Sequence, residues 1–167
     1  MHVILAAIIV FLTLVARALV AAIAADVGRR ISSTFWVIRA FDRTLGRLIP
    51  DHTWGGTWTV TWFVDSENFE TINSTTSTVY RCFSMVALEG SGAVTAGGLR
   101  RYLFTGRLSS DRSILTGVWF DAQEASAGYH GAFQLRLRGA QNKAEGLWIG
   151  FSRMSRDIRS GPLQWTK

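Results

Sequence analysis

Gly146-Leu147-Trp148-Ile149-Gly150-Phe151-Ser152 alternates aromatic, small and aliphatic residues at every second position. That is the period of a β-strand whose two faces meet different environments. Similar runs extend from about Trp54 to Trp165. In the first, Trp54, Gly56, Trp58, Val60, Trp62 and Val64 share one face and Thr57, Thr59 and Thr61 the other. Tryptophan inward and threonine outward is the assignment a half-buried strand requires. Residues 65–76, rich in Ser, Thr, Asn and Glu, read as a polar loop. Further strands are predicted at 77–88, 91–96, 99–107, 113–121, 129–138, 144–152 and 158–166. Turns are marked by Glu89-Gly90-Ser91-Gly92, Ser109-Ser110-Asp111-Arg112 and Gly139-Ala140-Gln141-Asn142. Eight short strands joined mostly by hairpin-length loops describe an up-and-down antiparallel β-barrel over residues 51–167. Closure removes exposed edges and leaves room for packed side chains or one small ligand. Glycines inside the strands suit the bends of a tight barrel.

Upstream the chain changes character. Val3 to Ala25 is apolar apart from Thr13 and Arg17, and as a helix would be about 34 Å long, enough to cross a bilayer core. Ala22-Ile23-Ala24 resembles a signal-peptidase site, but no Lys or Arg precedes the apolar run. A retained transmembrane anchor over residues 1–26 is therefore expected. Arg17 would snorkel to the interface or face another helix. Residues 1–50 hold six Arg against Asp26 and Asp42, so +4 of the net +6 lies beside the apolar segment. That balance suits an anionic lipid surface. Because Arg29, Arg30, Arg39, Arg43 and Arg47 all follow the segment, the positive-inside rule puts the barrel in the cytoplasm, on the inner membrane. Val27, Ile31, Phe35, Ile38, Phe41, Leu45 and Leu48 are spaced for an amphipathic linker helix over residues 27–50. It would lie along the membrane, continue the anchor, or pack on the barrel. The expected fold is thus mainly β, an eight-stranded barrel preceded by a transmembrane helix and an amphipathic helix.

No enzyme motif is present: no phosphate-binding glycine loop, no HExxH, no Cys-His metal spacing. No catalytic residue, metal or cofactor is expected. Cys82 is the one cysteine, and it reads as a small buried hydrophobe. His130 falls outside the barrel by alternation. Arg136 and Arg138 alternate with Leu135 and Leu137 as a solvated face does, so no basic patch for DNA or RNA forms. Alternation sends Trp62, Tyr80, Tyr102, Phe104, Trp119, Tyr129, Phe133 and Leu163 inward. Setting Arg81 toward water turns Tyr80, Cys82 and Ser84 inward. Arg100 goes inward with Tyr102, and Arg159 with Gly161, Leu163 and Trp165. Aromatic faces near strand-end arginines suit a nucleobase and its phosphate. Tyr80, Tyr102, Trp119 and Tyr129 are the candidate stacking residues, and Arg100 and Arg159 the candidate phosphate contacts. The plainer alternative is a barrel filled by its own rings, with the arginines in solvent.

Gly117-Val118-Trp119-Phe120-Asp121, Tyr129-His130-Gly131-Ala132-Phe133-Gln134-Leu135, the opening Gly146–Ser152 run and the closing Ile158-Arg159-Ser160-Gly161-Pro162-Leu163-Gln164-Trp165 carry a family resemblance. With the N-terminal apolar segment, they resemble the membrane-anchored β-barrel effectors of bacterial cyclic-oligonucleotide-based (CBASS-type) antiphage systems, with a STING-like sensor function on a lipocalin-like barrel. The resemblance implies a cytoplasmic barrel that binds a cyclic dinucleotide, then self-associates into a homo-oligomer and disrupts the inner-membrane lipid. That family usually carries two membrane helices. Here residues 31–49, with Arg39, Asp42, Arg43 and Arg47, are too charged for a second crossing. The alternatives are a lipocalin-like or avidin-like tethered barrel holding a small apolar ligand, which the Trp58-Val60-Trp62 face favours, and a ligand-free scaffold.

Overall fold

The computed structural model describes residues 35–48, 53–65, 70–94, 98–123, 129–139, 142–152 and 156–167. Helix α1 (Phe35–Thr44) ends in a 3-10 turn at Gly46–Leu48. Eight strands follow: β1 (Gly56–Phe63), β2 (Ile72–Cys82), β3 (Met85–Ala93), β4 (Leu99–Leu108), β5 (Ile114–Asp121), β6 (His130–Arg138), β7 (Lys143–Ser152) and β8 (Asp157–Thr166). Each pairs antiparallel with the next, and β1 pairs with β8 from Thr59↔Thr166 to Trp62↔Leu163, closing the barrel. The expected architecture of the β part is the one observed. The anchor expected over residues 1–26 lies outside the described residues, as do residues 27–34 of the linker. Among the described residues no helix is long and apolar enough to cross a membrane.

Strand β1 follows its alternation: Trp58, Val60 and Trp62 are buried while the threonines between them are partly exposed. The threonines meet hydroxyls of β2, with Thr61 and Ser74 oxygens 3.2 Å apart. Two sequence expectations around β2 and β3 are corrected. The strand expected at 77–88 is a hairpin, turning at Phe83 and Ser84 between Cys82 and Met85. Phe83 takes a left-handed φ of 54°, so no glycine marks the turn. It is held by Leu108 N–H donating to Ser84 O at 2.8 Å and by the ring of Phe41 on α1, 5.2 Å from that of Phe83. The polar stretch before it is also strand from Ile72 onward, because serine and β-branched threonine serve a ladder as well as a loop.

Glu89-Gly90-Ser91-Gly92, expected as a turn, runs inside β3. Gly92 is a glycine for want of space: a Cβ there would come within 2.9 Å of Trp62 and 3.2 Å of Tyr102. Of the strand expected at 91–96, residues 91–93 are the end of β3, and residues 95 and 96 lie outside the described residues.

Helix α1 lies on the outer wall. Phe35 and Ile38 are buried against Cys82, Ala87 and Leu103, with Tyr80, Met85 and Phe120 at the margin. The Asp42 carboxylate accepts the Arg81 N–H at 3.1 Å, tying the helix to β2. Of the placements open to this amphipathic face, packing on the barrel is the one seen. Ile38 is 0% exposed, so Ile38→Ala should cost about 2–5 kcal/mol. A chemical-denaturation midpoint unchanged from wild type would mean that the helix adds nothing to the barrel.

Candidate functional site

The barrel interior has two unlike ends. At one, Trp54 stacks on Trp58 with centroids 5.9 Å apart and planes at 25°, and the edge of Trp165 closes on both at 6.2 Å. All three are fully buried. Trp54 Nε1 donates to Arg112 O at 2.8 Å and Trp58 Nε1 to Trp54 O at 2.9 Å, so the plug is anchored to backbone. Lys167 covers it, its ammonium 5.0 Å from the Trp58 ring centroid. Leu108, Leu115, Leu135 and Phe133 continue the packing toward the middle.

At the other end the filling stops. A cavity of about 70 Å³ opens there, room for a few water molecules and about half the roughly 150 Å³ that takes in a whole benzene ring. Its walls are rings joined edge to face: Trp62 to Tyr102 at 6.1 Å and 83°, Tyr102 to Trp119 at 5.7 Å and 81°, Trp119 to Trp148 at 6.0 Å and 81°. Phe104 and Leu163 lie beneath, and Tyr129, Val64 and Arg159 line the remainder. Edge-to-face contacts hold the rings rigidly at little entropic cost. Two of the three indole N–H groups are already used: Trp148 Nε1 donates to Phe63 O at 2.9 Å and Trp119 Nε1 to Ile149 O at 3.3 Å. What those rings offer a guest is therefore their apolar faces. Gly150 is required here because a Cβ would collide with the Trp119 indole.

The polar groups sit at the rim. Asp121, 0% exposed, accepts from Arg100 Nη1 at 2.6 Å and from Gln123 N–H at 2.9 Å. The Arg100 guanidinium lies 5.4 Å from the Tyr129 ring centroid. Arg159 donates to the Asp65 carbonyl. Buried Asn73 donates to Glu70 O at 2.7 Å and accepts Ala93 N–H at 2.9 Å, fixing the ends of β2 and β3. Burial first, and the neighbouring Asp121 carboxylate second, push the Tyr102 phenol well above its ordinary value.

Of the residues singled out from sequence, Tyr102, Trp119, Tyr129 and Arg159 line this cavity, and Arg100 stands at the same end, bound to Asp121 rather than open to a guest. Tyr80 does not join them. It packs on the outer wall beneath α1, its ring 6.1 Å from Phe35 and 5.3 Å from the Arg39 guanidinium. Cys82 shares that face, where burial raises its thiol pKa. The expectation that Arg81 faces solvent reversed the alternation: α1 makes the outer face of β2 apolar, and Arg81 falls on the side of Val79, a barrel-core residue. Trp148, Asn73 and Asp121 were not among the sequence candidates. Trp148 was the most accessible of these, since it stands between Gly146 and Gly150 on the inward alternation of β7.

The Tyr102 shift gives a pH dependence. In the unfolded chain the phenol ionises near about pH 10, while in the folded barrel it stays protonated to higher pH. Unfolding above that point releases a proton, so the Tyr102 contribution is intact below about pH 10 and is lost as pH rises beyond it. Denaturation midpoints from pH 9 to 11 should fall more steeply for wild type than for Tyr102→Phe. Parallel profiles would remove Tyr102 as the cause.

Comparison with protein-family models and with curated proteins gives no match. Solved structures do match. A de novo designed fluorescence-activating beta barrel aligns with a TM-score of 0.50 at 12% identity, covering 69% of this chain and 94% of the design. A redesigned beta barrel, mFAP1, bound to DFHBI, aligns at 0.49 and 11% identity, covering 69% and 95%. The tryptamine complex of the amine binding protein of Rhodnius prolixus aligns at 0.43 and 11%, covering 70% and 65%. At these identities the likeness concerns the fold: the chain is similar in architecture to small closed β-barrels.

Proposed function

We propose that this barrel binds a small planar apolar molecule in the aromatic cavity. The carrying observation is the asymmetry of the interior: one end is plugged by Trp54, Trp58 and Trp165, while the other stops short and presents ring faces, with the Trp119 and Trp148 N–H groups already bonded to backbone. A barrel serving only as a scaffold has no need of an unfilled aromatic end. One flat guest set against the faces of Tyr102, Trp119 and Trp148 would cover apolar ring surface and project from the open mouth. The test is titration of the full chain with neutral one- and two-ring aromatics, followed by tryptophan emission. Trp119→Ala and Trp148→Ala should each weaken binding at least tenfold, while Trp54→Phe at the plugged end should not. Binding that ignores both cavity substitutions would overturn the reading.

A second reading is favoured by Arg159, which lines the cavity within reach of whatever protrudes from it. A cyclic dinucleotide, as the family resemblance implies, would insert one base among the rings and leave a phosphate at Arg159. Membrane anchoring, self-association and bilayer disruption belong to this reading and rest on the resemblance and on residues 1–34. Arg159→Gln separates the two: it should cost a cyclic dinucleotide at least tenfold and leave a neutral aromatic unaffected. Arg100 is the poorer probe, because its removal strands the buried Asp121 carboxylate.

A further inference from the structure

The barrel wall is not uniformly sealed. Strands β2 and β3 share three ladder pairs, Tyr80↔Ala87, Arg81↔Val86 and Cys82↔Met85, where β3 and β4 share nine. Beyond Tyr80 and Ala87 the ladder does not resume. The strands are instead linked by side chains: Thr75 and Ser91 hydroxyls 3.3 Å apart, and Asn73 Oδ1 accepting Ala93 N–H. Between the ladder and these fastenings lies a shallow polar groove open to solvent. Thr75, Thr76, Ser77, Thr78, Gly90 and Ser91 are among the residues that line it, and none of them has a ladder partner on the strand across the groove.

Helix α1 brings positive charge to this groove. Arg39 lines it, its guanidinium 5.3 Å from the Tyr80 ring and 5.5 Å from that of Trp36. Its buried Nε has no hydrogen-bond partner among the described residues. Arg43 lies over the same Tyr80 ring at 5.9 Å. Glu89, the carboxylate among the lining residues, is held by Arg101 at 2.6 Å. The local balance is therefore cationic, and the available donors are guanidinium, hydroxyl and backbone N–H.

We infer that the β2–β3 seam is a binding site for a tetrahedral oxyanion, a phosphate group, separate from the aromatic cavity. A guanidinium held among the Phe35, Trp36 and Tyr80 rings can donate through its terminal N–H groups in a fork, the geometry that oxyanions fit. Hydroxyls and unpaired strand N–H groups supply the remaining donors, as backbone concavities do at other anion sites. A cation is opposed by Arg39 and Arg43, and an apolar guest by the hydroxyl lining. The phosphate has two sources, a soluble phosphate or the headgroup of an anionic lipid.

The experiment uses the full chain with inorganic phosphate, set against chloride at equal ionic strength, with Tm as readout. Phosphate should raise Tm saturably and chloride should not. Arg39→Gln should abolish most of the shift, and Arg39→Lys, which keeps charge but not the fork, should retain part of it. Thr78→Val, on the strand side of the groove, should weaken it as well. Sedimentation with phosphatidylcholine vesicles, with and without phosphatidic acid, separates the sources. Pelleting that phosphatidic acid enhances, and that Arg39→Gln reverses, identifies a headgroup; a phosphate response without it identifies a soluble ligand. Equal phosphate and chloride shifts, together with vesicle binding indifferent to both Arg39 variants, overturn the inference.

Discussion

Three indoles at one end of the barrel set the terms for everything else inside it. An eight-stranded barrel has an interior about one layer of side chains wide, and Trp54, Trp58 and Trp165 occupy that width completely at the plugged end. Their stacking and edge contacts fix where the remaining inward residues begin. From there Phe133 bridges to Phe104 at 5.7 Å, and the aromatic series runs on through Tyr102, Trp119 and Trp148 without meeting across the middle. The cavity is thus the residue of a packing problem solved from one end. Glycines at Gly92 and Gly150 withdraw bulk from the opposite walls at the same level, so the opening is shaped by the chain and not left by loose packing.

The outer wall obeys a second logic. On β1 and β2 it turns hydroxyls toward solvent, on β5 and β7 it exposes Val118, Leu147 and Ile149, and under α1 it is apolar and covered. Phe35 and Ile38 meet Cys82, Ala87 and Leu103 there, forming a core separate from the barrel interior. β2 therefore carries two characters along its length: a hydroxyl-rich stretch beside β1 and a buried stretch beneath the helix. The seam with β3 parts where the first gives way to the second.

Much of the barrel was readable in the sequence, for identifiable reasons. In strands β4 to β8 the alternation was unambiguous and the aromatic side was taken as the inner one, which sent Tyr102, Trp119, Tyr129 and Arg159 inward. The β2–β3 region defeated the same reasoning twice. A turn at Phe83 has no glycine to betray it, and a face covered by a helix looks like a core face. Tyr80 was misplaced because a period of two says which residues share a side but not which side is the interior. Asp121 escaped notice for a related reason: a carboxylate at a strand end reads as solvent-facing, and only its ion pair with Arg100 reveals it as buried.

Closure of the barrel through Thr59↔Thr166 and its neighbours has a temporal meaning as well. The residues it joins are roughly 100 apart in the chain, the kind of non-local pairing that slows folding. Hairpins such as β6–β7 can form as soon as they leave the ribosome, yet the first strand keeps an unpaired edge until the last has been synthesised. During that interval Trp58 and Trp62 lack the partner strand that covers them, and the nascent chain is at its most prone to aggregate. Its short threonine-studded β1, polar on one face, is well suited to waiting.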